Sequence, residues 1–253
     1  MPFIKLSNVS LEYPIYDTVS RSFTRSLTRG MQVGGKIKND GSTKSSILAL
    51  DNLNLTFVDG DRVALLGNNG AGKTSLLKLL SGFYEPTKGH IEKEGKLSVL
   101  LNLMAGMDVN QSGYDNILLC GMLHGLERKE ILQKVEEIAE FSELGSYLYL
   151  PVRLYSQGMT LRLAFSICTS VNSEILLLDE WIGAGDADFI VKARERLSRM
   201  VFASSILVFA THHPDVARHL CNKAIYLEHG KLIAFGDIEE VMQHQNLDVL
   251  SHN

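Results

Sequence analysis

Residues 62–80 read RVALLGNNGAGKTSLLKLL. The apolar residues 63–66 predict a buried strand, and the leucines after Lys73 have the spacing of a helix. Between them, Gly67, Gly72, Lys73 and Thr74 fit the pattern G-x-x-x-x-G-K-[ST], in the strand–loop–helix context that this pattern requires. Glycines let the backbone wrap a phosphate with successive N–H groups pointing inward, and the helix start adds its positive end. The stretch therefore predicts a phosphate-binding loop.

This loop supplies the first set of candidate site residues. We expect Lys73 to reach the β- and γ-phosphates of a nucleotide, and the hydroxyl of Thr74 to bind Mg²⁺. The candidate nucleotide-binding residues here are Gly67, Asn68, Asn69, Gly70, Ala71, Gly72, Lys73, Thr74 and Ser75. The alternative is a glycine turn before an ordinary helix, and the strand before the loop and the amphipathic helix after it argue against this.

Composition narrows the class of protein. A chain of 253 residues suits one large domain or two small lobes, and 45% hydrophobic with 21% charged residues is typical of a soluble globular protein. No apolar run approaches the roughly 18–20 residues that cross a bilayer. A net charge of −4 gives no indication of nucleic-acid binding. Cys120, Cys168 and Cys221 are odd in number and lack metal-like spacing, which favours packing roles in a reducing cytosol.

Two further strands end in polar side chains. Residues 175–178 are apolar and predict a fully buried parallel strand, and Asp179 and Glu180 follow directly. Ionised carboxylates at a strand end favour a cation or a proton-transfer role, so we expect Asp179 to hold Mg²⁺ and Glu180 to polarise the attacking water. His212 follows the next buried strand and is a candidate for contact with the γ-phosphate. A solvated strand end is the alternative for the acids, and a structural role is the alternative for His212.

The order of elements indicates an α/β core with additions. Residues 3–13 and 47–57 predict antiparallel strands ahead of the phosphate-binding loop, and residues 103–170 are mostly helical in pattern. Tyr13, at the end of the first strand, either stacks on a nucleotide base or packs within the sheet.

A basic segment interrupts the first two strands. Residues 17–46 carry six cations against two acids. Arg21, Arg25 and Arg29 would share one face of a short amphipathic helix, which suits an anionic membrane surface or a charged substrate headgroup. A solvated surface insertion is the alternative.

The order Tyr155-Ser-Gln-Gly158-Met, followed by a helix and then by the Asp179-Glu180 strand, resembles the signature motif of ABC-type ATPases, usually written LSGGQ. The resemblance covers essentially the whole chain. It implies an α/β fold with a P-loop NTPase (RecA-like) core, an N-terminal antiparallel β-layer and an inserted α-helical subdomain. The implied bounds of a single nucleotide-binding domain are 1–102 and 171–253 for the core with its β-layer, 103–170 for the helical subdomain and 17–46 for the basic insertion.

The same resemblance implies roles for individual residues. Residues 67–74 correspond to the Walker A loop and residues 175–179 to Walker B. Glu180 corresponds to the catalytic glutamate, His212 to the switch histidine and Tyr13 to the adenine-stacking aromatic residue. Residues implied to contact the nucleotide from the signature motif and the D-loop are Ser156, Gln157, Gly158 and Asp186.

Two departures point to a subgroup. The signature lacks its first glycine and its glutamine, and Asn102 stands where the Q-loop glutamine is expected. The sequence is similar to ATPase subunits of bacterial polysaccharide exporters, which move lipid-linked O antigen, capsule or teichoic acid. The similar stretches are residues 100–108, 112–117, 140–145 and 155–159. An exporter subunit for another lipid or a drug is the alternative. An ABC ATPase of translation or DNA repair would normally carry paired cassettes or a long coiled-coil insertion.

The family implies partners and a location. One Walker A loop and one signature motif per chain imply an ATP-bound homodimer, in which each chain completes the site of the other. We expect ATP and Mg²⁺ as cofactors, a separate transmembrane permease as partner and a lipid-linked polysaccharide as substrate. The chain would then lie at the cytoplasmic face of the inner membrane, attached peripherally through the permease.

Overall fold

The computed structural model describes residues 1–15, 36–39, 45–179 and 187–243. The strands within these ranges are β1 (Phe3–Ile15), β2 (Lys36–Asn39), β3 (Ser45–Val58), β4 (Arg62–Leu66), β5 (Lys88–Glu94), β6 (Leu97–Leu100), β7 (Ile175–Asp179), β8 (Ile206–Ala210), β9 (Lys223–Glu228) and β10 (Lys231–Asp237). The predicted helix with Arg21, Arg25 and Arg29 lies outside the described residues, and so do Glu180 and Asp186.

The helices fall mainly in the second half of the chain. They are α1 (Lys73–Leu80), α2 (Gly113–Leu123), α3 (Arg128–Ser142), α4 (Gln157–Cys168), α5 (Ala187–Ala203), α6 (Pro214–Leu220) and α7 (residues 238–243). The chain forms two compact units, Met1–Glu94 with Ile206–Asn253, and Gly95–Ser205.

The first unit contains the antiparallel layer that the sequence predicts. Its strand order is β2-β3-β1-β5, and Ile4 pairs with Phe57 across β1 and β3. Side chains alternate along β1, because Ile4 and Leu6 are buried whereas Lys5 is exposed. One face of this layer therefore contributes to the core of the unit.

The same unit contains the strands that position the phosphate-binding loop. β4 pairs in parallel with β8 on one side and with β9 on the other, and β9 and β10 form an antiparallel hairpin. Residues 63–66 and 206–210 are all buried, as expected for parallel strands covered on both faces. Since β4 and β8 run in the same direction, their carboxyl ends meet at one edge.

The second unit combines a parallel strand pair with three helices. β6 pairs in parallel with β7, from Leu97 beside Ile175 to Leu100 beside Leu178. α2, α3 and α4 pack around an apolar cluster. Members of this cluster from the three helices include Ile117, Cys120, Ile131, Ile138, Leu163 and Ile167. The bounds 103–170 for a helical subdomain stay a prediction.

The helix after the signature motif begins earlier than its sequence pattern predicts. The apolar run suggests a helix from 161 to 171, whereas α4 spans Gln157–Cys168. The reason is that Ser156 caps the helix, with its Oγ accepting a hydrogen bond from the N–H of Met159 at 3.2 Å. The signature residues Gln157 and Gly158 therefore form the first turn of α4 and are not a loop before it.

Candidate functional site

The loop between β4 and α1 has two positions that only glycine can occupy. Gly67 has a φ of +140° and Gly72 a φ of +110°, in the region that L side chains rarely adopt. A Cβ on Gly67 would lie 2.3 Å from the carbonyl oxygen of Leu227, and a Cβ on Gly72 would lie 2.9 Å from a methyl carbon of Leu50. The loop therefore packs directly against β9 and β3, which fix its curvature.

Lys73 brings positive charge to this loop. Its Nζ donates to the carbonyl oxygens of Gly67 at 2.6 Å and Asn68 at 3.1 Å, and the residue is only 8% exposed. α1 begins at Lys73 and has no acidic residue in its first turn. The positive end of the helix therefore adds to the ammonium, and the combination suits a phosphate.

Tyr13 lies next to the start of α1. Its hydroxyl donates to the Oγ of Ser75 at 3.1 Å, and its ring meets that of Tyr84 edge to face, with the centroids 5.3 Å apart. The half-buried ring of Tyr13 is thus held beside the phosphate-binding loop, where an aromatic face can stack on a base. Tyr84 is a contact that sequence spacing did not identify.

His212 also lies next to the loop. A cleft of about 240 Å³ has Gly67, Asn68 and Asn69 on one side and Thr211 and His212 on the other. His212 is exposed. Beside it, the Oγ1 of Thr211 accepts a hydrogen bond from the N–H of His213 at 3.1 Å. The first unit thus brings together the loop, Tyr13 and His212.

Gly230 supports the loop from the β9–β10 hairpin. The sequence of residues 224–235 predicts only a hairpin with its turn at Gly230. Its N–H donates to the carbonyl oxygen of Ala71 at 2.9 Å, and its own carbonyl accepts from the N–H of Asp51 at 2.8 Å. A Cβ at Gly230 would lie 2.4 Å from the carbonyl oxygen of Ala49. The available signal was the turn glycine itself, whose partner 159 positions earlier cannot be read from one sequence.

The remaining described candidates lie in the second unit. Asp179 is the last residue of β7 and is half-buried, whereas Leu176 and Leu178 before it are buried. Ser156 and Gln157 are exposed at the start of α4. Their backbone N–H groups at a helix N-terminus are suited to an anion.

Tyr155 anchors the segment in front of the signature residues. Its hydroxyl donates to the carbonyl oxygen of Tyr147 at 2.7 Å, and burial raises its pKa above the ordinary value. A Cβ on Gly113 would lie 2.3 Å from the same hydroxyl, so α2 approaches it closely. Asn102 is exposed, and its Oδ1 accepts from the N–H of Met104 at 3.3 Å.

The three cysteines are buried and reduced. Burial raises the pKa of Cys120 to about 11 and that of Cys168 and Cys221 to about 12. These thiols remain neutral near pH 7, which fits the predicted packing role.

Comparison with known proteins identifies the family of the chain. The family model described as ABC transporter matches residues 50–183. The chain is 43% identical over 230 residues to the O-antigen export system ATP-binding protein RfbE of Yersinia enterocolitica, covering 91% of this chain and 96% of that protein. It is 35% identical over 239 residues to the teichoic acids export ATP-binding protein TagH of Staphylococcus haemolyticus, covering 94% of this chain and 86% of that protein.

Solved structures show the same fold. A dimeric post-hydrolysis state of the ATP-binding cassette MJ0796, bound to ADP and phosphate, is similar with a TM-score of 0.65 and 20% identity, covering 93% of this chain and 98% of that one. An ATP-binding subunit of an ABC transporter is similar with a TM-score of 0.68 and 18% identity, covering 97% and 94%.

The chain belongs to the ABC transporter family. The family, the fold class and the enzyme class predicted from the sequence, an ATPase coupled to transport, are confirmed. The roles of the individual site residues stay predictions.

Proposed function

We propose that this chain is the ATP-hydrolysing subunit of an exporter that moves lipid-linked polysaccharide through a separate permease. The observation that carries the proposal is the 43% identity, over nearly the full length of both chains, to an O-antigen export ATP-binding protein. A second relative, at 35% identity, is named as a teichoic acids export ATP-binding protein. We infer from these two names that the substrate moved with the help of this chain is a long polymer on a lipid carrier.

ATP would bind along the first unit. The glycine cradle at Gly67 and Gly72 leaves no room for a Cβ, so the backbone itself can surround the phosphates. Lys73 would turn from the loop carbonyls to the β- and γ-phosphates, and Tyr13 would stack on the base. His212 would contact the γ-phosphate from the other side of the cleft.

The donor set suits Mg²⁺. We expect Thr74 to offer a hydroxyl and Asp179 a carboxylate, which are oxygen ligands of the kind that Mg²⁺ prefers. The described His, Cys, Asp and Glu side chains form no cluster of three that could hold a metal by themselves. Bound at these residues, Mg²⁺ would neutralise charge on the phosphates. Glu180 would orient and polarise the attacking water.

The second half of each site would come from another copy of the chain. Ser156, Gln157 and Gly158 present a helix N-terminus that can cap the γ-phosphate of a partner, and we expect Asp186 to contact the same nucleotide. ATP would close a head-to-tail homodimer, and hydrolysis would reopen it. Closure and reopening are the mechanical step that drives the permease.

An exposed apolar patch in the second unit is where we expect the permease to bind. Val109, Tyr149, Leu150 and Leu154 are all more than 40% exposed. Two backbone hydrogen bonds join the segments that carry these side chains. The N–H of Arg153 donates to the carbonyl oxygen of Val109 at 2.8 Å, and the N–H of Gly113 donates to the carbonyl oxygen of Leu150 at 3.2 Å. A contiguous exposed apolar surface marks an interaction site.

The permease would place the chain at the membrane. None of the helices in the described ranges has the length and apolar character to span a bilayer. Because relatives of the chain are export-system ATP-binding proteins, we propose a peripheral position on the cytoplasmic face of the inner membrane. The loop of residues 102–108 and the patch just described would contact the permease there.

The decisive experiment is deletion in the encoding strain, followed by complementation with the wild-type chain or with Glu180→Gln. Surface and cytoplasmic glycan are then separated and quantified. We expect polymer to accumulate inside the deletion strain and the Glu180→Gln strain, and to return to the surface with the wild type. Surface polymer that is unchanged by deletion would exclude polysaccharide export. A change in drug resistance or lipid content alone would favour an exporter of another cargo.

Gel filtration tests the dimer separately. Glu180→Gln should slow hydrolysis and trap the closed state, so Mg·ATP should shift the variant toward twice its mass. The purified complex with the permease provides the stronger form of this test. If Mg·ATP produces no dimer of this chain, either in the isolated protein or in the purified complex with the permease, the shared site is contradicted.

A further inference from the structure

A polar cleft of about 500 Å³ lies in the second unit, away from the candidate site residues of that unit. Facing residues of α3 and α5 form its walls, and residues 169–173, which connect α4 to β7, form its floor. This connection enters the amino end of β7, whereas Asp179 lies at the carboxyl end. Because β7 has five residues, the two ends are roughly 13 Å apart.

Three cations and one carboxylate line this cleft. The cations are Lys134 from α3 and Arg196 and Arg199 from α5, and the carboxylate is Glu137. Residues 134 and 137 are one turn apart, and so are residues 196 and 199, so each pair shares one helix face. The formal charge of the cleft is therefore positive, in a chain whose net charge is −4.

Arg196 and Glu137 form an ion pair with each other. Arg196 is 9% exposed, its guanidinium donates to Glu137 at 2.6 Å, and it lies 4.4 Å from the ring centroid of Phe141. It also donates to the carbonyl oxygen of Thr169 at 3.4 Å. This pair is a structural contact, and it leaves Lys134 and Arg199 without a matching carboxylate inside the cleft.

Lys134 and Arg199 make few hydrogen bonds or ion pairs within the described residues. Within the described part of the chain, Lys134 has no hydrogen bond or ion pair, and Arg199 has only a 4.0 Å contact with Glu195. Both side chains of that contact are more than 70% exposed, so it is worth little. Asn172 and Ser173, which line the floor, also have no side-chain hydrogen bond to another described residue. The cleft thus offers cations beside neutral hydrogen-bonding groups.

We propose that this cleft binds a small sugar phosphate, with Lys134 and Arg199 on the phosphate and Asn172 and Ser173 on sugar hydroxyls. Cations separated by one cleft repel each other, and a dianion between them relieves that repulsion. Amide and hydroxyl groups are suited to the neutral polar remainder of the ligand. The volume falls in the usual range for a small-molecule site. The proposal does not depend on which cargo the transporter carries.

Isothermal titration calorimetry with glucose 1-phosphate tests the proposal. The full chain is kept saturated with Mg·ADP, so that the phosphate-binding loop is occupied and cannot bind the probe. We expect the wild type to bind, and the double variant Lys134→Gln/Arg199→Gln to bind about tenfold or more weakly, because two charged contacts are lost. Glucose should give no binding, and inorganic phosphate should bind more weakly than the sugar phosphate.

The matched control is Lys129→Gln/Arg194→Gln. It removes one exposed cation from each of the same helices, outside the cleft, and should bind glucose 1-phosphate like the wild type. Thermal unfolding checks that both double variants are folded, and Arg199→Gln alone, at a 71% exposed side chain, provides a milder version. Absence of binding to the wild type would overturn the proposal. If both double variants weaken binding equally, the assigned site is wrong. If inorganic phosphate binds as tightly as glucose 1-phosphate, the cleft does not recognise the sugar.

Discussion

The hydroxyl of Tyr13 donates to the Oγ of Ser75 at 3.1 Å, so an aromatic residue from the β-layer is tied to the first turn of α1. Ser75 follows directly on Lys73 and Thr74 at the end of the phosphate-binding loop. The contact fixes the ring of Tyr13 beside the phosphate-binding loop, so the proposed base-stacking and phosphate-binding residues are joined by one hydrogen bond.

Removing this hydrogen bond from either side should weaken ATP binding to the same extent. We expect Tyr13→Phe and Ser75→Ala each to cost about 1 kcal/mol, close to a fivefold rise in Kd for ATP, because the same bond is lost. The double variant should cost no more than either single change. Titration of ATP into the four proteins forms a double-mutant cycle, and strictly additive losses would show that the bond is not used in the bound state.

Tyr13→Ala should have a larger effect than Tyr13→Phe. It removes the ring as well as the hydroxyl, and base–aromatic stacking is worth about 1–3 kcal/mol. We expect the Kd for ATP to rise by about tenfold or more, while inorganic triphosphate, which has no base, binds as it does to Tyr13→Phe. Equal losses for ATP and triphosphate would place the base elsewhere.

Gly230→Ala should damage the loop although residue 230 lies outside every motif. Its positive φ of 77° costs about 1 kcal/mol for alanine, and the Cβ would also lie 2.4 Å from a backbone oxygen. The hairpin must then shift, and the hydrogen bond from Gly230 to Ala71 is disturbed. We expect a lower melting temperature and a clear loss of ATPase activity.

Gly60→Ala is the matched control. Gly60 has a φ of +89°, but a Cβ there has no atom within 4 Å. Gly60→Ala should lose only about 1 kcal/mol of stability, from the positive φ, and should keep its ATPase activity. If Gly60→Ala and Gly230→Ala lose the same stability and activity, close packing behind the loop is not what Gly230 provides.

These glycines show where sequence reasoning succeeds and where it stops. The strand, loop and helix of residues 62–80 are local, so hydrophobic periodicity and the glycine spacing predict them directly. The role of Gly230 depends on a hairpin that reaches the loop from far along the chain, and spacing has no access to such a contact. The start of α4 differs from the sequence pattern for another reason, because the hydroxyl of Ser156 caps the helix and extends it beyond its apolar run.

His124 should make stability depend on pH. Burial lowers its pKa from the ordinary 6.5, and its Nε2 lies 3.4 Å from the sulfur of Cys168. Below pH 6.5 the unfolded chain binds a proton that the folded chain resists, so the unfolded state holds more protons. The stabilisation that comes from keeping His124 neutral is therefore fully present above pH 6.5, and it is lost as the pH drops below that value.

Urea unfolding between about pH 8 and about pH 5.5 measures this dependence. His124→Gln should reduce the slope below pH 6.5 relative to the wild type, because the group that takes up the proton in the unfolded state is gone. A slope unaffected by His124→Gln would assign the pH dependence to other groups.

Ser156 and Ser112 separate a role in folding from a role at the nucleotide. Each caps a helix, since Ser156 accepts from the N–H of Met159 at 3.2 Å and Ser112 accepts from that of Asp115 at 3.1 Å. Ser156→Ala and Ser112→Ala should each cost about 1 kcal/mol of stability. Only Ser156 is proposed to face the phosphate of a second copy, so only Ser156→Ala should also reduce the ATPase rate and the Mg·ATP-dependent dimer. Parallel loss of activity in both variants would mean that stability alone explains it, and normal dimerisation of Ser156→Ala would remove its hydroxyl from the shared site.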